Sequence, residues 1–224
     1  MPLAAIFDFD GTIADTIAAI REGVNLTMRK NNFPEHSHAA VQSFVNNGAR
    51  QLIRLSLPAH LRDDEAEVDR VLADYDVLYG QVFRLTDRAY DGIPELISEL
   101  HGRGWKIGVL SNKQDVFVKA LSEQVLLPDT FDATQGVIAG KPAKPHPYLS
   151  ERISQALGVP LSNCVMIGDS DVDIRTAREA GMKHVGVSWG YRSHDFLLEN
   201  GADTVADTVD ELRSILLDME SNQR

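Results

Sequence analysis

The hydrophobic positions of this chain change rhythm along its length. Leu3-Ala4-Ala5-Ile6-Phe7 is an unbroken apolar run of strand length, the pattern of a parallel strand buried on both faces. After Asp15-Thr16, a pair suited to capping a helix, apolar residues recur at helical spacing, beginning with Ile17, Ile20 and Val24. The clearest helix of this block carries Val68, Val71, Leu72, Tyr75, Leu78, Tyr79, Val82 and Phe83 on one face. Asn31-Asn32-Phe33-Pro34, Asn46-Asn47-Gly48 and Leu57-Pro58 break the block into separate helices, and no strand is evident before about Tyr90. The pattern predicts a helical insert over 15–90 with a core of its own, its aromatic residues serving as packing.

From Asp91 the rhythm becomes strand and helix in alternation. Gly92-Ile93-Pro94 opens a helix that Gly102 or Gly104 can end, and Trp105 to Leu110 reads as a strand. A helix over about 114–125, a short strand within 131–138 and a Pro-rich loop at 141–147 follow. A helix to Leu157, a strand at 163–167, a helix to Gly181 and a strand at 184–187 come next; two helices around a weak strand near 203–206 complete the pattern. Repeated βα units predict an α/β fold with a doubly wound parallel sheet, built from 1–14 and 91–224.

Composition narrows the function without naming it. The 224 residues, 43% hydrophobic and 25% charged, suit an ordinary globular chain. A formal net charge of −11 argues against a nucleic-acid surface, but permits a locally positive site for an anionic substrate. Cys164 is the only cysteine, so no intrachain disulfide can form, and a reducing compartment is expected. No stretch reads as a leader or as a membrane span, so the chain is expected to be cytoplasmic and to have no membrane partner.

Asp8 and Asp10 close the first strand. Side chains alternate along a strand, so both carboxylates should point the same way, at the strand end where open α/β sheets bind ligands. Held together there, they call for a cation, and a hard divalent ion with oxygen ligands is the simplest one. The bland alternative is a plain Asp-Gly turn. Three further candidates lie beyond predicted strands or in the loops between elements. Ser111 and the Asn112 backbone stand near a predicted helix start, where the dipole favours an anion. Lys144 is a point charge on a proline-stiffened loop. Asp169 faces the same rim as Asp8, and Asp173 follows one helical turn later. Each has a mundane reading as a helix cap or a solvated loop residue.

Asp8-Phe9-Asp10-Gly11-Thr12, Ser111-Asn112, Lys144-Pro145, and Gly168-Asp169-Ser170 with Asp173 together resemble the four motifs of the haloacid dehalogenase-like (HAD) phosphatases. The helical block resembles that superfamily's small cap domain, inserted after the first strand of a Rossmann-like core. The resemblance covers essentially the whole chain. It implies phosphoryl transfer through an aspartyl-phosphate on Asp8, with Asp10 as general acid and then base. It further implies Mg2+ held by Asp8, the Asp10 carbonyl and Asp169, with Asp173 binding the metal or orienting its waters. Ser111, Asn112, Thr12 and Lys144 would contact the phosphoryl group. The dehalogenating members lack a carboxylate at the position of Asp10, which points to a phosphatase or phosphomutase.

Finer features are similar to those of phosphoglycolate phosphatases: Phe44-Val45-Asn46-Asn47-Gly48-Ala49, Ser111-Asn112-Lys113, Lys144-Pro145-His146-Pro147 and Gly186-Val187-Ser188-Trp189-Gly190-Tyr191. They imply 2-phosphoglycolate as substrate. They also imply a cap loop, with Asn47, Gly48 and Arg50, closing over the site. Arg50 could grip a substrate carboxylate; a solvated helix arginine is the alternative. Either Lys141 or Lys144 could be the third-motif lysine, and Lys144 fits its surroundings better. Asp171 is expected to complement a helix dipole, and His36 and His38 to lie on the surface. Rival activities are a pyrophosphatase, a nucleotidase and a sugar phosphomutase; a rival of another class is a non-catalytic binding module. The expected partner is a small phosphate ester, and the chain a monomer or homodimer.

Overall fold

The computed structural model describes residues 3–86 and 88–221, so positions 1–2, 87 and 222–224 of the expected domain ranges lie outside the described residues. Six parallel strands form one sheet: β1 (Ala4–Phe7), β2 (Lys106–Gln114), β3 (Ala133–Val137), β4 (Cys164–Gly168), β5 (Lys183–Val187) and β6 (Val205–Ala206). Their spatial order is β3-β2-β1-β4-β5-β6. The chain therefore winds outward from β1 in one direction, returns to its other side, and winds outward again. Such a reversal leaves a crevice at the carboxyl ends of the central strands.

The strand alternation explains why both faces are apolar. Ala5 and Phe7 of β1 join a buried cluster with Ile97, Leu100 and Val118, while Ala4 and Ile6 join another with Leu149 and Ile153. Helices α5 (Ile93–Gly102) and α6 (Asp115–Val125) thus cover one face and α7 (Tyr148–Leu157) the other. Helix α8 (Asp171–Ala180) packs on β4 and β5, and α9 (His194–Glu199) and α10 (Val209–Ser221) reach β6.

Before α5 come α1 (Ile17–Lys30), α2 (His38–Phe44), α3 (Gly48–Ser56) and α4 (Glu65–Val82), with no strand among the described residues of this block. The expectation of a separate core here is not met. Val24, Met28, Ile53, Val68 and Val71 belong to the same contiguous cluster as Phe7 and Ile107 of the sheet. The bridge is apolar side chains at the seam, where Ile13 and Ile17 lead out of the sheet and Phe117 of α6 packs on Tyr79 and Phe83. A second departure concerns β2. It continues past Leu110 to Gln114, with a register shift against β3 in that stretch, so Ser111 and Asn112 lie on strand and α6 starts only at Asp115. No described helix is long and apolar enough to cross a membrane.

Candidate active site

The site begins where β1 runs out. The Asp8 N–H still bonds to the Ile167 carbonyl (2.8 Å), so its backbone is held in the sheet. The chain then turns at Gly11, whose φ of +79° is natural only to glycine. Its N–H donates to Ala14 O (2.9 Å), and the Phe9 carbonyl takes the N–H of Ile13 (3.0 Å). The turn leaves Asp8 facing the rest of the strand rim, with Asp10 on the side toward the helical block.

Opposite Asp8 stands Lys144, whose side chain is 1% exposed. Its ammonium lies 3.1 Å from Asp8 Oδ1 and 2.7 Å from Asp173 Oδ1, and donates to Leu110 O at 2.9 Å, which occupies all three of its protons. The lysine is placed by Asn112. That amide accepts the Lys144 N–H at Oδ1 (2.8 Å) and donates from Nδ2 to the Lys144 carbonyl (3.1 Å). Lys141, by contrast, is exposed and lies 5.9 Å from the ring centre of Tyr148. Of the two lysines, Lys144 is the one brought to the carboxylates.

Asp169 and Asp173 complete the rim from β4 and α8. Asp169 is fully buried; its Oδ2 accepts the Tyr191 N–H (2.7 Å) and its Oδ1 the Thr12 hydroxyl (3.4 Å). Asp173 spends its second oxygen on the N–H (3.2 Å) and hydroxyl (2.6 Å) of Ser170 at the start of α8. Oxygens of Asp8, Asp169 and Asp173 all fall within 4.8 Å of one another. Gly168 and Gly190 leave room for the two aspartates, since a Cβ on Gly168 would sit 2.2 Å from Asp173 Cγ and one on Gly190 2.5 Å from Asp169 Cβ.

Burial dominates the electrostatics of the cluster. It pushes Asp8 up to about 7, with Asp173 and Asp10 adding to the rise and Lys144 opposing it. It also lifts Asp169 well above the usual carboxylate range. For Lys144 burial acts downward, but the carboxylates of Asp173 and Asp8 outweigh it and hold the ammonium form.

Asp10 belongs to a separate network. Its Oδ1 accepts the Thr16 hydroxyl at 2.6 Å and lies 3.1 Å from Lys113 Nζ. The Tyr191 hydroxyl, 3.0 Å from Thr16 Oγ1, also accepts the Thr16 N–H. Tyr191 therefore touches Asp169 through its backbone and the Asp10 network through its phenol.

A cavity of about 50 Å3 opens between this rim and the helical block, lined on the core side by Asp8, Asp10, Ser111, Asn112 and Lys113. Asn46, Gly48, Leu52, Tyr75 and Tyr79 line the other side. The expected site residues divide accordingly. Asp8, Asp10, Ser111, Asn112, Lys144, Asp169 and Asp173 come together, and Gly48 faces them across the cavity. Thr12 does not reach the cavity: it is completely buried, turned onto Asp169. Asn47 is exposed at the start of α3, outside the lining. Arg50 is also outside, because Glu65 and Asp69 of α4 hold its guanidinium. Nor are all the aromatics of α4 only packing residues, since Tyr75 and Tyr79 form cavity wall. His38 is exposed, whereas His36 is half-buried and bonds Ser56 O at 2.8 Å. Asp171 opens α8 and pairs with Arg175 at 2.7 Å.

Two residues of the site carry no expected role in the sequence reading. Lys113 was legible in principle, because it lies two positions beyond Ser111 on an extended segment and so shares its face. Tyr191 was not, since nothing local ties it to Thr16, 175 positions away.

The donor set suits a hard divalent cation. It consists only of oxygens, and three carboxylates against one ammonium leave an excess of negative charge. The oxygens of Asp8, Asp169 and Asp173 lie close enough to serve one such ion, and Asp173 is in addition tied to the Lys144 ammonium at 2.7 Å and the Ser170 hydroxyl at 2.6 Å.

Comparison with known proteins agrees with this geometry. The sequence profile of the haloacid dehalogenase-like hydrolases matches residues 3–181. The chain is 32% identical over 202 residues to the phosphoglycolate phosphatase of Rhodospirillum rubrum, covering 85% of this chain and 81% of the relative. It is 29% identical over 213 residues to that of Colwellia psychrerythraea, covering 92% and 93%. Among solved structures, a Lactobacillus delbrueckii subsp. bulgaricus protein described provisionally as a phosphoglycolate phosphatase superposes with a TM-score of 0.87 at 31% identity, over 96% of this chain and 98% of that one.

Proposed function

This chain belongs to the haloacid dehalogenase-like hydrolases, and from that premise we propose that it is a Mg2+-dependent phosphatase of small phosphomonoesters, with 2-phosphoglycolate as substrate. The observation that carries this reading is the rim itself: three buried carboxylates within 4.8 Å and a buried lysine ammonium between two of them, at the ends of the central strands. We further propose that 15–90 acts as a cap domain on a core of 1–14 and 91–224. The lone, buried Cys164 supports a reducing, cytoplasmic location.

In the proposed reaction an Asp8 oxygen forms a bond to phosphorus while the bond from phosphorus to the leaving oxygen breaks. Asp10, protonated, gives its proton to that oxygen. As a carboxylate it then takes a proton from water, whose oxygen attacks the aspartyl-phosphate and releases inorganic phosphate and free Asp8. Mg2+ bound by Asp8, Asp169 and the Asp10 carbonyl would neutralise charge on the phosphoryl group and let an anionic nucleophile approach it. Ser111 offers its hydroxyl to a phosphoryl oxygen, and Lys144 holds positive charge beside Asp8. Asn112 serves chiefly by fixing Lys144 through its two backbone contacts.

The test is phosphate release from 2-phosphoglycolate with Mg2+ and with EDTA, for the wild type and Asp8→Asn. Chelation should abolish turnover, and Asp8→Asn should lower kcat by at least ~10³-fold. Normal turnover by Asp8→Asn would refute the covalent route.

A further inference from the structure

We propose that Lys113 is the specificity residue of this site, reading a carboxylate on the leaving group of the substrate. The inference rests on the phosphatase reading above and adds the chemistry of the group beyond the scissile bond.

Lys113 is the one cation among the described residues that line the cavity. Arg50 cannot fill this role where it stands, because Glu65 and Asp69 hold it outside. Lys144 is buried behind Asp8, with all its protons spent on Asp8, Asp173 and Leu110. Lys113 is also a built feature of the wall. Its side chain is only 6% exposed, donates to the Tyr79 hydroxyl at 2.8 Å, and lies 4.7 Å from the centre of the Tyr79 ring. Burying an ammonium against a ring and a phenol is costly unless an anion completes its shell. Asp10 Oδ1 pairs with it at 3.1 Å in the resting site, but Asp10 enters the proposed reaction as the proton donor, and in that form it no longer supplies the anion.

Position supports the same conclusion. Ser111 and Lys113 line the cavity from one stretch of β2, and the Lys113 ammonium reaches across to Tyr79 of the helical block and to Asp10. Because Asp10 is the proposed proton donor to the leaving oxygen, a cation 3.1 Å from it stands beside the leaving group. Beyond Lys113 the cavity wall is apolar, formed by Val45, Leu52, Tyr75 and Phe117, so Lys113 is its only positive charge among the described residues. It suits a leaving group ending in an anion, the chemistry of a phosphorylated hydroxy acid.

The experiment compares 2-phosphoglycolate with 2-hydroxyethyl phosphate, an ester of similar size without the carboxylate. Wild-type kcat/KM should favour the former by ~10- to 100-fold, the scale of one charge-assisted hydrogen bond. Lys113→Met should bring that ratio close to one, chiefly by raising KM for the carboxylate substrate. Lys113→Gln, which retains a donor for Tyr79, should do the same and stands in if the Met variant does not fold. A preference that survives in both variants, or equal loss on both substrates, would overturn the assignment. Equal wild-type efficiency on the two esters would overturn it while leaving the phosphatase reading intact. No release from either ester would overturn the phosphatase reading itself.

Discussion

Replacing His184 by Phe should flatten the acid limb of the stability profile. The imidazole sits on β5 at 9% exposure, and neither ring nitrogen has a hydrogen-bond partner. Burial pushes its pKa down to about 4, against the opposing pull of the Asp173 and Asp203 carboxylates. In the unfolded chain the ring titrates near ~6.5. As the pH falls below that value the unfolded state takes up a proton that the folded state refuses, so stability drops until the folded ring also protonates near pH 4. At about 1.4 kcal/mol per pH unit the whole effect is on the order of 3 kcal/mol, and roughly 2 kcal/mol of it should be lost by about pH 5. Asp8 and Asp169 act in the opposite sense. Burial raises both, so the folded state keeps protons that the unfolded state has shed, and stability falls as the pH rises through the raised values. The raw profile therefore mixes the two, and the difference between wild type and His184→Phe isolates the histidine. Urea titrations in EDTA at a series of pH values between about 7 and 5 would measure it. The wild type should lose roughly 2 kcal/mol more than the variant over that range. Any fixed packing cost of Phe displaces the whole curve without changing its slope. Parallel curves, within about 0.5 kcal/mol, would refute the reasoning.

Lys144→Met should cost about 3–5 kcal/mol of stability in EDTA, because Asp8 and Asp173 would then share a buried site without their common cation; a loss below about 1 kcal/mol by urea denaturation would contradict that account. Tyr191→Phe, which frees Thr16 and so loosens Asp10, should slow alkyl phosphates, whose leaving oxygen needs a proton, by ~10-fold more than p-nitrophenyl phosphate, whose leaving group does not; equal slowing of both substrates would mean that the phenol merely supports the fold.

The sheet and most of its helices were legible because their signals are local. A short continuous apolar run such as Leu3 to Phe7, ended at once by Asp8 and Asp10-Gly11, suits a strand buried on both faces, and Gly158 and Gly181 mark helix ends where the structure shows left-handed backbones. Acidic residues just past such strands must meet at one rim once the strands are parallel, so Asp8 and Asp169 were readable together. Local signals could not decide where a side chain turns when several partners compete for it. Arg50 had a plausible anion in a substrate, but α4 packs Glu65 and Asp69 closer. Thr12 was expected at phosphate and instead closes on Asp169. The helical block has the periodicity of an independent bundle, yet its buried faces merge with the sheet's, since apolar contact has no preference for neighbours in sequence. Lys113 beneath Tyr79, and Tyr191 between Asp169 and Thr16, arise only when segments far apart in the chain pack against each other. Strand and helix periods along one segment determined the fold class and the rim of carboxylates; competition among charged and polar partners in three dimensions decided which residues face the cavity.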